Sequence, residues 1–331
     1  MSNYKIGVNI GAEELKLAVR RRGNYIVMSE RLPENIIQNG RIVMPESMVE
    51  FLRGVRKKYK IRGGGIAAVL PDGLTILRRI SMPYMTEAQL KINLPYEFRD
   101  FISGTTDKYE FDYSVEGFIK GDDGKITTMN LLAVAIQKSI ISDYQEVFRR
   151  AGMKLSAAIP QEVAYINLIR EHIKKVPDNA NREICIVDIG HRRTHIHMFE
   201  GEFYRATCTV DYGSAGIDEV IADTLNVDVY LACTYKESNY EGILDCEALE
   251  NVYNKISLEA MKAINFYRYN NPDNRLTDAY FAGGGAMIKK LVDMTAAAAD
   301  LIPHNISELL TFDVSGDSVE RAALAVGATL Q

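Results

Sequence analysis

The sequence predicts an α/β protein of two lobes, in which the second lobe repeats the element order of the first. One observation is the stretch ICIVDIGHRRTHIHMF, residues 184–199, in which an apolar run ends in Asp-Ile-Gly before a second strand-like run begins. Another is KIGVNIGAEELKLAV, residues 5–19, which has the same layout. The third is the length of 331 residues, which exceeds what one hydrophobic core usually holds.

Charge and hydropathy exclude several classes of protein. The 44 acidic and 39 basic residues are well mixed and give a net charge of -5, so a nucleic-acid partner is not expected. No apolar run approaches the ~20 residues that span a bilayer, and no signal peptide pattern is present, so we expect no direct membrane insertion. The four cysteines form no CxxC pair, which fits a reducing, cytoplasmic location.

The first lobe is predicted to contain three strands and a helix, followed by an insert. Two strands form a hairpin around Gly11, a third follows, and Met48, Leu52 and Val55 mark the apolar stripe of the helix. From residue 66 to residue 159 the predicted element order is β-α-β-β-α-β. This order is that of a ferredoxin-like insert, in which helices cover one face of an antiparallel sheet.

The second lobe is predicted to repeat the unit of three strands and a helix, with a further helical segment and a strand that turns into a helix. These patterns divide the chain into seven segments. They are 1–65 (first lobe), 66–159 (ferredoxin-like insert), 160–182 (return helix and linker), 183–224 (second-lobe core), 225–274 (helical insert), 275–318 (end of the second lobe) and 319–331 (last helix).

Four glycine-containing turns are suited to phosphate chemistry. The hairpin turn NIGAEELK brings a lysine back beside a glycine, and DIGHRRT has the same shape with Asp188 at the end of a strand, where a carboxylate suits hydrated Mg²⁺. In YGSAGIDEVIA the glycines precede a helix, whose free amides attract an anion. In AGGGAMIKKL, glycines between a strand and a helix let a flat ring lie against the backbone.

The order of these motifs resembles the actin-like ATPase superfamily, whose two ribonuclease H-like lobes close on one nucleotide. Within it, the insert resembles the branch of FtsA and of the PilM-like proteins of type IV pilus assembly. GVNIGAEELKLAV is similar to the first phosphate motif of that branch, VDIGHRRTHIHMFEGEFYRA to the second and YFAGGGAMIKKL to the adenosine motif. ERAALAVGATL resembles the last helix, which packs back on the first lobe. The resemblance covers nearly the whole chain.

The resemblance implies ATP and Mg²⁺ as ligands and gives each motif a role. The first turn, with Asn9 at its start, would face the β- and γ-phosphates, and the second would face their other side and the metal. Gln161 or Glu162 would place the attacking water. The implied nucleotide-binding residues are Asn9, Gly11, Ala12, Lys16, Asp188 (also the metal ligand), Gly190, Thr194, Gly213, Gly216, Lys236, Gly283, Gly284, Gly285 and Met287.

Some positions depart from the pattern that the resemblance implies. Asn9 stands where actin relatives have Asp, and an amide is a poorer Mg²⁺ ligand and no base. Arg192 and Arg193 follow Asp-Ile-Gly, where relatives have small residues, and two guanidinium groups could either clamp phosphates or fill the pocket. His195 and His197 share one face of a strand, and we expect a solvated face there rather than a metal site.

The resemblance implies a cytoplasmic assembly protein of the type IV pilus or a related secretion machine. It would bind ATP with Mg²⁺ between the lobes, with slow or absent hydrolysis, and a short N-terminal peptide of a single-span, PilN-like inner-membrane protein. That partner would hold the chain at the inner face of the membrane, and a homo-oligomer is possible. Two alternatives stay open: a pseudo-ATPase scaffold with a blocked cleft, and an active ATPase or kinase of the same superfamily.

Overall fold

The first lobe is built on a six-stranded mixed sheet. The computed structural model describes residues 4–21, 24–61 and 64–330. In this sheet the strand order is β10-β6-β1-β2-β3-β16, with β1 antiparallel to β2 and parallel to β6. The strands of residues 4–160 are β1 (Tyr4–Ile10), β2 (Glu14–Arg21), β3 (Asn24–Arg31), β4 (Ile37–Gln38), β5 (Arg41–Ile42), β6 (Gly65–Leu70), β7 (Thr75–Pro83), β8 (Tyr109–Lys120), β9 (Ile126–Gln137) and β10 (Lys154–Pro160), and β16 is Val314–Gly316.

Two helices cover the outer face of this sheet. Helix α1 (Pro45–Lys58) has proline in its first turn, where no backbone N–H is needed, and three basic residues in its last turn, which suit the helix dipole. It buries the predicted residues Met48, Leu52 and Val55 against the sheet. Helix α3 (Lys138–Arg150) packs beside α1 and contributes to the same core. The core of the first lobe therefore includes a helix that the sequence pattern places in the insert.

The subdomain between β6 and α3 is smaller than predicted and is not ferredoxin-like. It is a three-stranded antiparallel sheet in the order β7-β9-β8, with α2 (Glu87–Asn93) and a 3₁₀ helix (Leu94–Phe98) against one face. The outer strands of the predicted insert, β6 and β10, pair with each other and join the main sheet beside β1. Strand β6 is buried almost throughout, so it requires the middle of a covered sheet. The predicted insert of residues 66–159 is therefore wrong in its outer boundaries.

The second lobe repeats the first in its strand order. Its five-stranded sheet runs β13-β12-β11-β14-β15, which matches β3-β2-β1-β6-β10 of the first lobe. The predicted duplication is thus longer than β-β-β-α and includes two further strands. The elements are β11 (Glu183–Ile189), β12 (Thr194–Glu200), β13 (Phe203–Val210), α5 (Ala215–Leu225), α6 (Val229–Ser238), α7 (Glu250–Asn270), β14 (Asp278–Ala282), α8 (Lys289–Ala298) and β15 (Ile302–Asn305).

Two helices lie between the sheets and join the lobes. Helices α4 (Gln161–Lys175) and α9 (Val319–Gly327) share one apolar core with strands of both sheets. They approach so closely that a Cβ at Gly327 would lie 2.2 Å from the carbonyl oxygen of Ala164. Strand β16, which we predicted to be part of the second lobe, pairs instead with β3 of the first. Among the described residues, no helix is both long and apolar enough to cross a membrane.

Candidate functional site

A cavity of about 660 Å³ lies between the lobes, where β1 and β11 end. This volume is within the range of pockets that bind small molecules and cofactors. Both hairpin turns line it, and so do the loop after β14, the start of α4 and the start of α9. The predicted site residues in its wall are Asn9, Gly11, Ala12, Lys16, Gln161, Asp188, Gly190, Lys236, Gly283, Gly284 and Met287.

The two hairpin turns have the same backbone geometry. In the first turn the amide of Gly11 donates to the carbonyl oxygen of Glu14 at 2.8 Å, and in the second the amide of Gly190 donates to that of Arg193 at 2.9 Å. The side chain of Lys16 returns over the first turn, since a Cβ at Gly11 would lie 3.3 Å from its Nζ atom. The duplicated lobes therefore present two equivalent turns to one cavity.

Asp188 is held at the end of β11 by a residue that the sequence did not reveal. The hydroxyl of Tyr165 on α4 donates to Asp188 Oδ2 at 2.7 Å, and both side chains are buried. Burial and the charge of Asp188 raise the pKa of Tyr165 well above its usual value, so Tyr165 stays a donor. The other oxygen, Oδ1, lies 2.4 Å from where a Cβ at Gly283 would be. Gly283 has φ +84°, so glycine suits this position on both grounds.

Two cations of the cavity wall, Lys16 and Arg321, are already paired with carboxylates. Lys16 Nζ lies 3.4 Å from Glu14 Oε2. Arg321 of α9 also lines the cavity, and its Nη1 atom lies 3.2 Å from Glu14 Oε1 and 2.9 Å from Glu237 Oε1. Arg321 could not be singled out from the sequence, because it and Glu320 are simply the polar residues at the start of a mostly apolar helix.

A similar group on the second-lobe side is formed by Lys236 and a neutral histidine around Asp218. Lys236 Nζ lies 2.7 Å from Asp218 Oδ2, and His191 Nδ1 lies 3.7 Å from the same oxygen. His191 Nε2 reaches across to Glu13 of the first turn at 3.6 Å. Burial, with the charge of Lys236, lowers the pKa of His191 to about 4, so this ring is neutral at pH 7. Burial raises the pKa of Asp218, an effect that the Lys236 charge opposes.

Two residues of the second turn region stabilise the turn and do not line the cavity. Thr194 is fully buried, and its hydroxyl donates to the carbonyl oxygen of Tyr212 at 2.8 Å. Gly213 packs behind the turn, because a Cβ there would lie 2.6 Å from the carbonyl oxygens of both Gly190 and His191. The expectation that Thr194 and Gly213 face a ligand is therefore corrected to a role in backbone packing.

Two other predicted glycines also lie behind the cavity wall. A Cβ at Gly216 would make only an ordinary contact with Val252, 3.5 Å away on α7. A Cβ at Gly285 would lie 2.3 Å from the side chain of Ile189, so this glycine lets the loop after β14 pack on β11. Of the three consecutive glycines, Gly283 and Gly284 line the cavity and Gly285 does not.

Glu162 points away from the cavity into a buried cluster with two histidines. Its Oε1 atom accepts a hydrogen bond from Thr207 at 3.3 Å and lies 3.9 Å from His197 Nδ1. Burial, with a contribution from the charge of Asp72, raises the pKa of Glu162 to about 7. His195 and His197 are 9% and 1% exposed, so the expected solvated face is wrong. Gln161, one residue earlier, is the one of the predicted pair that lines the cavity.

Arg192 and Arg193 leave the cavity open. Both side chains are exposed, and Arg193 Nε pairs with Asp211 Oδ1 at 2.9 Å. Arg192 lines the cavity and has no carboxylate within ion-pair distance in the described part of the chain. The hypothesis that these two arginine side chains fill the pocket is therefore excluded for this conformation, and the hypothesis that they clamp phosphates stays open.

The oxygen donors of the cavity suit a hydrated Mg²⁺ ion. Over residues 4–21, 24–61 and 64–330 no three His, Cys, Asp or Glu side chains are grouped to hold a metal directly. Mg²⁺ keeps most of its waters and uses one or two carboxylates beside phosphates, and Asp188 offers such a group with amide oxygens of Asn9 and Gln161 in the same wall. Asp72, after β6, is a further cavity carboxylate that the sequence did not indicate, and it accepts from Thr209 of the second lobe at 3.2 Å.

Comparison with solved structures gives matches over almost the full chain. One is the PilM-PilN type IV pilus biogenesis complex, with a TM-score of 0.81 and 19% identity, covering 99% of this chain and 98% of that chain. Another is the ethanolamine utilization protein EutJ from Carboxydothermus hydrogenoformans, with a TM-score of 0.59 and 15% identity over 99% and 89% of the two chains. A third is MreB5 of Spiroplasma citri bound to AMPPNP, with a TM-score of 0.55 and 11% identity over 97% and 93%.

Comparison of the sequence identifies the family. No curated protein matches the chain in sequence. The family profile described as type IV pilus assembly protein PilM matches residues 7–329. This range includes both hairpin turns, the loop after β14 and α9. The chain therefore belongs to the PilM family of type IV pilus assembly proteins, and its fold is that of the actin-like ATPases.

Proposed function

We propose that this chain is a cytoplasmic type IV pilus assembly protein that binds ATP with Mg²⁺ in the interlobe cavity and passes the nucleotide state to a partner. The observation that carries the proposal is the pair of equivalent turns on opposite walls of one 660 Å³ cavity. Free backbone amides beside glycine make such turns good phosphate sites. Two of them facing one another suit a polyphosphate chain between the lobes.

Each wall of the cavity contributes a different part of the proposed site. On the first-lobe side the turn amides near Gly11 and Ala12 and the ammonium of Lys16 bind phosphate oxygens. On the second-lobe side Asp188, held by Tyr165, orients the waters of the metal. The bound Mg²⁺ supplies charge neutralisation of the phosphates. Gly283 and Gly284 leave a flat backbone surface for the adenine and ribose, with Met287 beside it and Lys236 towards the base.

The same residues favour slow or absent hydrolysis. A water that attacks the terminal phosphate needs a group to orient it and accept its proton. Asn9 cannot accept a proton, and Glu162 points into the buried cluster instead of the cavity. Gln161 can orient a water but is no base. A long-lived ATP state suits a conformational switch, in which the bound nucleotide fixes the angle between the lobes.

The proposed partner is the short cytoplasmic N-terminus of a single-span, PilN-like inner-membrane protein. The PilM-PilN complex, whose PilM resembles this chain over nearly its whole length, supports this choice. The subdomain of residues 75–137 also supports a partner, because many large apolar side chains are exposed there. They are Tyr84, Ile92, Tyr96, Phe101, Val115, Phe118, Ile119 and Ile126. Such a partner would hold the chain at the inner face of the cytoplasmic membrane.

Thermal melting with and without nucleotide tests the cavity. ATP, ADP and GTP are added with and without Mg²⁺ to the wild type, to Asp188→Asn, and to Asp223→Asn, whose exposed side chain lies outside the cavity wall. We expect ATP with Mg²⁺ to stabilise the wild type and Asp223→Asn by about 2.7 kcal/mol at a hundredfold excess over Kd. The shift should be lost or strongly reduced in Asp188→Asn. No shift with any nucleotide would exclude the ATP switch.

A peptide titration tests the partner. The probe is a synthetic peptide of the cytoplasmic N-terminus of the PilN-like protein from the same genome, titrated in the ATP and the ADP state. A switch requires different affinities in the two states, because a ligand with equal affinity for both conformations shifts neither.

A pseudo-ATPase scaffold is the second candidate function, and one observation favours it. Lys16, Lys236 and Arg321 are each paired with a carboxylate of the chain itself, so these three cations are neutralised by the protein. In that case the peptide binds equally well with and without nucleotide, and no nucleotide changes the melting temperature.

A further inference from the structure

Arg321 connects three parts of the cavity wall that belong to different segments of the chain. It lies on α9, while Glu14 opens β2 beside the first turn and Glu237 lies on α6 of the second lobe. A single nitrogen, Nη1, contacts both carboxylates, at 3.2 and 2.9 Å. The Arg321 side chain is 21% exposed, and Glu14 and Glu237 are 21% and 43% exposed. The pair of contacts therefore bridges the lobes from within the cavity wall.

The place of Arg321 is between the two ends of the proposed nucleotide site. On one side it contacts Glu14, whose carbonyl oxygen closes the first turn by accepting from the amide of Gly11. On the other side its neighbour Glu320 accepts, through its carbonyl oxygen, the amide of Gly283 in the proposed adenosine loop, at 2.8 Å. Arg321 therefore contacts a residue of the first turn and is adjacent in the chain to a residue that holds the proposed adenosine loop.

The guanidinium of Arg321 is better matched to a phosphate group than to the two carboxylates that it contacts. A guanidinium has five donors in a planar fork that binds phosphate through two parallel hydrogen bonds. In the structure the nitrogen that contacts Glu14 and Glu237 is shared between them, so neither carboxylate has the two parallel bonds. Glu14 also contacts Lys16, the cation expected at the phosphates. Glu14 therefore forms ion pairs with two cations of the site, Lys16 and Arg321.

Resting on the proposed function, we infer that Arg321 is a further nucleotide-binding residue that contacts the polyphosphate chain, and that Glu14 and Glu237 compete with nucleotide for it. Binding exchanges a contact between carboxylate and guanidinium for one between phosphate and guanidinium. It also brings several negative charges close to Glu14 and Glu237, which repel them. Nucleotide therefore displaces Glu14 and Glu237 from Arg321.

The test uses the opposite signs that this competition requires. ATP with Mg²⁺ is titrated calorimetrically into the full chain carrying Arg321→Gln, Glu14→Gln or Glu237→Gln. We expect Arg321→Gln to weaken ATP binding about tenfold or more, because a charge-assisted hydrogen bond is lost. Glu14→Gln and Glu237→Gln should each tighten it about threefold to tenfold, and tripolyphosphate should follow the same order.

Two control variants separate competition from simple stabilisation of the fold. Glu46→Gln removes one partner of an exposed ion pair with Arg150, outside the cavity wall, and should leave ATP affinity unchanged. Arg321→Lys keeps the charge without the fork and should bind ATP between wild type and Arg321→Gln. It also serves if Arg321→Gln does not fold.

The outcomes distinguish this inference from the proposed function. If Arg321 only holds the lobes together, the glutamate variants weaken ATP binding or leave it unchanged, which overturns the inference while ATP binding itself stands. If the wild type does not bind ATP but Glu14→Gln does, the competition is supported and is strong enough to block the site. If neither the wild type nor a glutamate variant binds ATP or tripolyphosphate, the inference and the proposed site both fail.

Discussion

The first hairpin turn, residues 9–16, and the second, residues 188–194, share one backbone geometry but have different surroundings. Behind the second turn lie a buried tyrosine that holds Asp188, a buried threonine and a glycine in backbone contact. The first turn has a half-buried asparagine in place of the aspartate and carries a lysine that pairs with Glu14. A fixed turn in one lobe thus faces an adjustable, charge-balanced turn in the other.

This difference indicates that the two turns have different functions in one site. A metal ligand needs a fixed position, because its neighbours must orient it. A cation that exchanges partners needs a competing partner of similar strength. The second turn holds the fixed carboxylate Asp188, and the first turn holds Lys16 beside its competing partner Glu14. If the rigidity belongs to the second turn alone, substitutions there cost more stability than matched substitutions in the first turn.

The largest effect is expected from a methyl group behind the second turn. Gly213→Ala would place a Cβ within 2.6 Å of two carbonyl oxygens, so the backbone must move, and we expect a loss of about 3 kcal/mol or more in the free energy of unfolding. Gly11→Ala in the first turn meets its nearest atom at 3.1 Å and should cost about 1 kcal/mol. Gly216→Ala, whose Cβ would make only an ordinary contact at 3.5 Å, should change the free energy of unfolding by less than about 0.5 kcal/mol. Urea unfolding measures all three, and equal costs for Gly213 and Gly11 would contradict the contrast.

The next effect is a pH dependence that comes from the buried cluster beside the second-lobe sheet. Since burial raises the pKa of Glu162 from 4.5 to about 7, the folded protein keeps a proton that the unfolded chain releases. Its contribution to stability is full below pH 4.5 and is lost as the pH rises through 7. Glu162→Gln lacks this loss, so its free energy of unfolding relative to wild type should rise by up to about 3 kcal/mol between pH 4.5 and 8.

A first-lobe carboxyl provides the control for this pH dependence. Burial acts to raise the pKa of Glu30, but hydrogen bonds from Lys58 and Tyr59 lower it overall. Its contribution is therefore present above pH 4.5 and is lost as the pH falls. Glu30→Gln should show the opposite slope relative to wild type, and parallel curves for the two variants would contradict the assignment.

The smallest effect is expected from the hydroxyl that holds Asp188. Tyr165→Phe leaves the buried carboxylate without its donor, and we expect a loss of about 2 kcal/mol in the free energy of unfolding at pH 7. Glu14→Gln removes partly buried ion pairs of the first turn but leaves a side chain that still accepts hydrogen bonds, and it should cost less than about 1 kcal/mol. Guanidinium unfolding monitored by circular dichroism gives both values. A cost for Glu14→Gln as large as that for Tyr165→Phe would mean that the two turns are equally rigid.

The sequence was sufficient to predict the turns and their order but not the partners of the strands. Gly11 and Gly190 are predicted correctly as turn residues because a glycine between two strand-like runs is typical of a hairpin turn. The placement of β6 and β10 in the insert failed because the order β-α-β-β-α-β is the same whether the outer strands join the insert or the main sheet. Pairing in a sheet is non-local, and a hydropathy pattern does not name the partner.

The remaining site residues carry no periodic signal. Tyr165 meets Asp188 from a position 23 residues away, and Arg321 meets Glu14 from a position 307 residues away. Tyr165 and Arg321 each look in the sequence like one more polar position on a helix. The prediction for Thr194 failed because β12 is buried on both faces, so alternation does not show whether Thr194 or His195 faces a ligand.

The position of β16 and α9 has a consequence for how the chain folds during synthesis. The amide of Ser29 donates to Asp317 Oδ2 at 2.6 Å, 288 residues further along, and β16 completes the edge of the sheet beside β3. The edge of β3 therefore stays unpaired, and the inner face of the first sheet is covered only by α4, until β16 and α9 emerge. At 5–20 residues per second the 288 residues between Ser29 and Asp317 take about 15–60 seconds to synthesise, and an unpaired edge is where chains aggregate. A chaperone that shields the first lobe during this interval would determine how much protein reaches the native state.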